Sequence, residues 1–276
     1  MSIRHFAIPA VLLFAAGALP AAFLLNDPNT PGQQSRVPIY GVKVISKFRH
    51  DPKAFSQGLV IDDGVLIEGT GQRGESQLRK VDLKTGKVQN FVKLPSTIFG
   101  EGVTVFNDKI YQLTWERGLC YVYDRKTMVY QKYHKYPGEG WGLTHNGKQL
   151  IMSDGSNVIR FIDPATFTTQ RTIRVTRDNG IPVKDLNELE FINGLIYANI
   201  WHSDYIARID PATGRVKSWL DLSPLKPNSV RGIEEAVLNG IAWDSKAKKL
   251  YVTGKDWPTL FEIEINKTPQ GRNRRR

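Results

Sequence analysis

Four times in this chain a run of strand-forming residues ends on Asp and passes into a turn with Thr at a fixed offset. The occurrences are Val81-Asp82-Leu83-Lys84-Thr85-Gly86, Tyr123-Asp124-Arg125-Lys126-Thr127, Ile162-Asp163-Pro164-Ala165-Thr166 and Ile209-Asp210-Pro211-Ala212-Thr213-Gly214. An Asp at a strand end can bond the backbone of the turn that follows it, and recurrence at about forty residues marks a chain built from copies of one supersecondary unit. Each Asp is preceded by a paired segment: Gly58 to Leu66, Gly102 to Ile110, Gly142 to Leu150 and Glu188 to Ile196, with hairpin turns such as Asp62-Asp63-Gly64 and Asn193-Gly194. A fifth copy runs from Gly240 to Leu250 and ends at Phe261-Glu262-Ile263-Glu264, with Glu264 in place of Asp. No window keeps helical periodicity for long. The chain therefore reads as all-β, and five units of four short strands predict a five-bladed β-propeller, which protects its sheet edges by closing radially. The last unit stops at its third strand. Gly41-Val42-Lys43-Val44-Ile45-Ser46 is expected to close the ring, pairing an N-terminal strand with the last blade.

Outside the repeat, residues 1–25 hold Arg4, an apolar run from Phe6 to Ala18 and the small residues near Ala21 and Ala22, the order of a signal peptide or of an uncleaved anchor. Residues 26–38 read as a Pro/Asn/Gly-rich linker, 39–266 as the propeller domain and 267–276 as a basic, disordered tail. The expected location is outside the cytoplasm, periplasmic or secreted, with membrane contact only if the leader is retained. The formal net charge of +11 raises nucleic acid as a partner, but Arg4, Arg272, Arg274, Arg275 and Arg276 carry five of those charges at the two ends. The rest is spread among acids along the body, so no nucleic-acid partner is expected. Cys120 is the one cysteine, which excludes an intrachain disulfide and a multi-Cys metal site. Its neighbours Leu119 and Tyr121 suggest a buried strand, where Cys acts as a small hydrophobe.

Aligning the units places side chains. The residue before each first strand is Gln57, Glu101, Trp141, Asn187 and Asn239, and the residue nine positions before each strand-ending acid is Arg73, Trp115, Asp154, Trp201 and Lys255. In antiparallel neighbours the start of one strand and the end of the next share a sheet edge, so both sets should ring one mouth. A rim built only for packing would repeat one residue type, whereas this one mixes Trp, amides, cations and acids. Glu101, in Phe99-Gly100-Glu101-Gly102, is the only ionisable pre-strand residue, and burial among aromatics would raise its pKa toward that of a proton shuttle. Asp154, in Ser153-Asp154-Gly155-Ser156, reads as an ordinary turn residue. The connections from Thr176 to Asp185 and from Ser223 to Ala236 are long enough to carry binding functions. His50, His134, His145 and His202 lack metal-ligand spacing and read as surface or turn residues. Gly69-Thr70-Gly71-Gln72-Arg73-Gly74 matches a dinucleotide motif in count, but it joins two strands and opens no helix.

Phe55-Ser56-Gln57-Gly58-Leu59, Phe99-Gly100-Glu101-Gly102, Leu113-Thr114-Trp115, Gly140-Trp141-Gly142-Leu143, Leu186-Asn187-Glu188-Leu189-Glu190, Asn199-Ile200-Trp201 and Thr253-Gly254-Lys255 together resemble the plant-type and bacterial glutaminyl cyclases, or glutaminyl-peptide cyclotransferases. The match spans about residues 40 to 265 in order. Ser56 stands where the family has Thr, and the basic tail is no part of its pattern. The resemblance implies a five-bladed propeller that turns the N-terminal glutamine of peptides and proteins into pyroglutamate with release of ammonia, acts as a monomer and uses no cofactor and no metal. It implies catalytic Glu101, Asn187, Lys255 and Gln57, and substrate-binding Phe55, Phe99, Trp115, Trp141 and Trp201. On that reading Glu101 is the general acid and base, the aromatics exclude water, and Asn187, Gln57 and Lys255 are donors for the amide oxygen. Two alternatives share the same mouth. One is a peptide-binding propeller without catalysis. The other is a metal-dependent, lactonase-like propeller with Glu101, Asn187, Asn239 and Asp154 as ligands.

Overall fold

The computed structural model describes residue 31 and residues 37–271. The expected leader, most of the expected linker and residues 272–276 lie outside the described residues. The described chain is all-β, with short 3-10 turns at Asp178–Gly180, Ser223–Leu225 and Asn228–Val230. After β1 (Ile39–Arg49), three antiparallel four-stranded sheets follow in chain order. They are β2 (Ser56–Asp62), β3 (Val65–Thr70), β4 (Gln77–Asp82) and β5 (Val88–Lys93); β6 (Gly100–Phe106), β7 (Lys109–Thr114), β8 (Leu119–Asp124) and β9 (Tyr130–Lys135); and β10 (Leu143–His145), β11 (Leu150–Met152), β12 (Val158–Ile162) and β13 (Thr169–Arg174). An eight-stranded sheet joins β14 (Leu186–Ile192), β15 (Leu195–Ile200), β16 (Tyr205–Ile209) and β17 (Val216–Asp221) through β1 to β20 (Thr259–Ile265), β19 (Lys249–Gly254) and β18 (Leu238–Asp244).

The join follows from the missing fourth strand. Among the described residues no strand follows β20, and β1 pairs with it antiparallel from Val42↔Ile265 to Arg49↔Thr259, as expected from the sequence. The first residues of β1 run on to pair in parallel with β17, Ile39 opposite Trp219, which fuses two units into one sheet. Beyond β20, Gln270 still donates its N–H to the Ile39 carbonyl at 2.7 Å.

Burial falls outward across the three separate four-stranded sheets, whereas β17, the fourth strand of the next unit, is paired with β1 and mostly buried. First strands such as β2 and β6 are almost wholly buried, while the fourth strands β5 and β9 are almost wholly exposed. The apolar seams lie between neighbouring units: Val60, Ile67 and Leu78 pack with Val103, Ile110 and Met128. Each fully buried Leu or Ile there contributes about 1.5–3 kcal/mol. The first strands β2, β6, β10, β14 and β18 touch in succession, and β18 returns to β2. At four of the five contacts they approach so closely that only glycine fits. A Cβ on Gly142 would lie 2.0 Å from the Asn187 carbonyl oxygen, and one on Gly58 would lie 2.3 Å from the Val103 nitrogen. Where the other first strands have Gly58, Gly102, Gly142 and Gly240, β14 has Glu188, whose buried carboxylate accepts from the N–H of Leu59 (3.3 Å) and of Ile241 (2.8 Å).

The strand-ending Asp residues perform the same task in each turn. Asp82 Oδ1 accepts from the N–H and hydroxyl of Thr85, both at 2.8 Å, and Asp124 and Asp163 do the same with Thr127 and Thr166. Asp210 accepts from the Ala212 N–H and the Thr213 hydroxyl. Glu264 lies in β20 opposite Lys43, and no turn into a fourth strand follows it, so it has no such turn to hold. Cys120 is buried in β8 as a free thiol, as expected.

Candidate functional site

At the end of the sheets opposite the Asp turns, the first strands slip register. The shifts fall between Ser56 and Gly58, Gly100 and Val103, Leu186 and Leu189, and Leu238 and Ile241. Gln57, Glu101, Asn187 and Asn239 therefore sit on β-bulges inside the strands and not, as the alignment suggested, just ahead of them. A bulge re-aims a side chain that regular alternation would send into the seam. Trp141 does precede its strand, β10.

Gln57, Glu101, Trp141 and Asn187 open on a cavity of about 340 Å³. All the residues expected to bind or act, Phe55, Gln57, Phe99, Glu101, Trp115, Trp141, Asn187, Trp201 and Lys255, line it, together with Gln72 and Glu235. Three rim positions do not. Arg73 pairs with Glu116 at 2.5 Å and stacks its guanidinium 5.6 Å from the Trp115 ring centroid. Asp154 holds its own turn through the Ser156 N–H and pairs with Arg160, in keeping with the turn reading. Asn239 is buried and turned toward β2. Asn239 and Asp154 thus do not line the cavity with Glu101 and Asn187, as the lactonase-like alternative requires. Among the described residues no group of three or more His, Cys, Asp or Glu is arranged to hold a metal ion.

Glu101 is the buried acid of the cavity, 4% exposed. A relay of amides fixes it: Asn239 Nδ2 donates to Gln57 Oε1 at 3.0 Å, and Gln57 Nε2 donates to Glu101 Oε1 at 3.1 Å. Burial pushes the Glu101 carboxyl well above its ordinary value; the nearby Lys255 ammonium opposes this and the Glu139 carboxylate adds to it. Burial likewise lowers the Lys255 ammonium, against the pull of Glu101, Glu235 and Asp256. Asn187 Oδ1 is buried without a hydrogen-bond partner, which in a native site asks for a functional explanation.

The aromatic wall is braced from outside. Glu139 Oε2 accepts from the indole N–H of Trp115 (2.7 Å) and of Trp141 (2.9 Å), and Glu235 Oε2 accepts from Trp201 (3.3 Å). Phe55 and Phe99 meet edge to face at 6.0 Å, as do Phe99 and Trp115 at 5.5 Å and Trp141 and Trp201 at 5.7 Å.

Behind β2 lies a buried ionic cluster. His50, expected at the surface, is 6% exposed, with Nδ1 2.7 Å from the Trp257 carbonyl and Nε2 3.0 Å from Glu68 Oε1. Both ring nitrogens face acceptors, so the ring is held as imidazolium. Glu68 also accepts from Ser56 Oγ (2.7 Å) and from Arg79 Nε and Nη2, and Arg79 reaches Asp51. Burial alone would raise Glu68, but His50 and Arg79 outweigh it and hold the carboxyl below its usual range. The cluster pins Ser56, the residue before Gln57. Glu139, Glu235 and this cluster were not found by repeat alignment; the signals available were the position of Glu139 two residues before Trp141 and the length of the connection that carries Glu235.

A family model described as glutamine cyclotransferase matches residues 16–265. A protein of Arabidopsis thaliana named glutaminyl-peptide cyclotransferase is 40% identical over 278 residues, covering 96% of this chain and 85% of its own. The crystal structure of Myxococcus xanthus glutaminyl cyclase superposes with a TM-score of 0.78 at 37% identity, covering 84% of this chain and 99% of its own. The same family thus appears in the family model, in a relative and in a solved structure, and the chain belongs to the glutamine cyclotransferase family.

Proposed function

We propose that this protein is a glutaminyl-peptide cyclotransferase that closes the N-terminal glutamine of peptides and proteins to pyroglutamate with release of ammonia. The observation that carries the reading is one buried carboxyl, Glu101, its proton affinity raised by burial, in a cavity walled by Phe55, Phe99, Trp115, Trp141 and Trp201. The substrate α-amine is largely protonated at neutral pH, with an unperturbed pKa of about 7.7–8.0. Ionised Glu101 takes a proton from the ammonium. The freed amine attacks the side-chain carbonyl carbon, and charge gathers on the amide oxygen. Asn187 and Lys255 are the donors for that oxygen. Gln57, whose amide links Asn239 to Glu101, serves by orienting the carboxyl. Glu101 returns its proton to the leaving nitrogen, the C–N bond breaks and ammonia departs; the carboxylate so regenerated takes the second proton of the α-nitrogen, which leaves the neutral lactam, and passes that proton to solvent. Ring closure is intramolecular, so a cavity that holds the folded side chain supplies much of the acceleration. The aromatic wall keeps out the water that would hydrolyse the amide instead.

The five four-stranded units are read as the blades of a propeller spanning 39–266, supported by the circular succession of first-strand contacts and by the β1–β20 pairing. Export rests on the order of Arg4, apolar run and small residues; recovery of the full-length chain in the cytoplasm on fractionation would refute it.

Incubation of the purified protein with a Gln-initiated peptide, followed by mass spectrometry, tests the function. Ammonia loss that EDTA does not abolish is expected. Retention of the peptide unchanged would favour the binding-module reading, and loss of activity in EDTA the metal-dependent one.

A further inference from the structure

Lys255 presents a physical problem that its own strand does not solve. Its side chain is 5% exposed, and its ammonium lies 4.6 Å from the Phe55 ring centroid. A buried ammonium without a counter-charge is costly and tends to shed its proton. Among the described residues one carboxylate lies within ion-pair distance, that of Glu235 at 3.9 Å. We propose that Glu235 is a positioning residue of the site, the counter-charge that keeps Lys255 an ammonium aimed at the reacting amide. This rests on the cyclotransferase reading given above.

The backbone geometry shows that Glu235 is placed and not merely nearby. It arrives on the connection between β17 and β18, and the next residues, Ala236 and Val237, are buried. The Val237 carbonyl accepts from the Lys255 N–H at 2.9 Å, and the Ala236 carbonyl accepts from the Trp257 indole at 3.1 Å. Leu225 and Val230 of the same connection are buried in the core beside Trp257. The main chain carrying the carboxylate is thus tied to the segment carrying the ammonium. The carboxylate itself meets three groups: Lys255, the Trp201 indole at 3.3 Å and His202 Nε2 at 3.6 Å. His202 sits on the Trp201 ring, centroids 4.3 Å apart, with a left-handed φ of 59° that a non-glycine residue seldom adopts. The acidic groups facing Lys255 are Glu101, Glu235 and Asp256; the groups facing Glu235 are Lys255, the Trp201 indole and the His202 ring. Glu101 exerts the larger pull on Lys255, but it gains and gives up a proton in the reaction, whereas Glu235, the carboxylate within ion-pair distance, takes no part in that transfer and is the constant counter-charge of the pair.

Glu235→Gln keeps the shape and an acceptor for Trp201 but removes the charge, whereas Glu235→Ala removes both. An opposite charge at this range shifts a pKa by one to three units, and the half-exposed Glu235 belongs at the low end. In Glu235→Gln the alkaline limb of the kcat–pH profile is expected to move down by about one pH unit, with KM little changed. Glu235→Ala should show the same shift and a raised KM, as Trp201 loses its brace. NMR titration of the Lys255 ε-carbon in the two proteins should move by the same amount. That readout needs no turnover, so it separates this proposal from the cyclotransferase reading: absence of cyclisation in the wild type would sink the activity alone. A Lys255 titration and alkaline limb in Glu235→Gln that coincide with wild type would overturn the role given to Glu235.

Discussion

The two ends of the sheets solve opposite problems with the same strands. At one end Asp82, Asp124, Asp163 and Asp210 repeat a single device, an exposed carboxylate closing its own turn on nearby N–H and hydroxyl groups. At the other end Gln57, Glu101, Trp141, Asn187 and Asn239 occupy equivalent places and none does the work of another. Local bonds suffice for the first, so it tolerates repetition. The second draws on partners far away in the chain, and its buried acid, buried cation and orphaned amide oxygen are features that cost stability. Repetition marks what holds the fold, and its failure marks where chemistry is done.

The contrast can be broken or sharpened by substitution. The largest effect is expected for Glu101→Gln, which keeps size and hydrogen bonding but cannot carry a proton; kcat should fall by about 10²–10⁴ in an ammonia-release assay. Its melting temperature at neutral pH should be unchanged or higher. A carboxyl raised by burial keeps its proton in the folded state after the unfolded chain has lost it, so stability falls as pH rises through that window, and Gln removes the loss.

Next comes Glu68→Ala, which leaves His50 and Arg79 as buried cations without their acid and should cost about 3–5 kcal/mol in denaturant unfolding. This is a structural acid at the chemical end and the strictest challenge to the division. Because the folded Glu68 carboxyl is depressed, its contribution is present above its ordinary value and lost as pH falls through the folded one. His50 is raised, since Glu68 overcomes the lowering by burial, so its contribution is complete below its ordinary value and lost as pH rises through the folded one.

Glu139→Ala should release two indoles at once. Hydrogen bonds to a charged group are worth about 1.5–3 kcal/mol, so a drop in kcat/KM of about tenfold or more is expected, with Glu139→Gln milder because it keeps an acceptor. The smallest effects belong to Asp163→Ala and Asp154→Asn. Each should lower the melting temperature slightly and leave kcat unchanged, since their bonds stay within or beside their own turns.

What the sequence revealed follows the same line. The Asp turns, the all-β character and the pairing of β1 with β20 were legible because each depends on local pattern or on counting strands. Seven of the residues lining the cavity were legible through unit alignment, and Phe55 and Phe99 through the family resemblance. The bulges were not, because an extra residue in a strand leaves no mark unless its partner's register is known. Gln57 lines the cavity as expected, and its amide also links Asn239 to Glu101, which spacing cannot tell. His50 read as a surface or turn residue because its partner Glu68 lies in a different segment, and Glu139 and Glu235 stayed hidden because the indoles of Trp115 and Trp201 reach them from distant parts of the chain.

The proton on Glu101 is the centre of the account, and infrared difference titration of its carboxyl, with Glu101→Gln as the blank, measures it directly. A protonated-carboxyl band that persists well above the ordinary carboxylate range in wild type, and is missing from the variant, is the expected result. A Glu101 carboxyl already ionised at the ordinary value of an exposed glutamate, about 4.3, would contradict it.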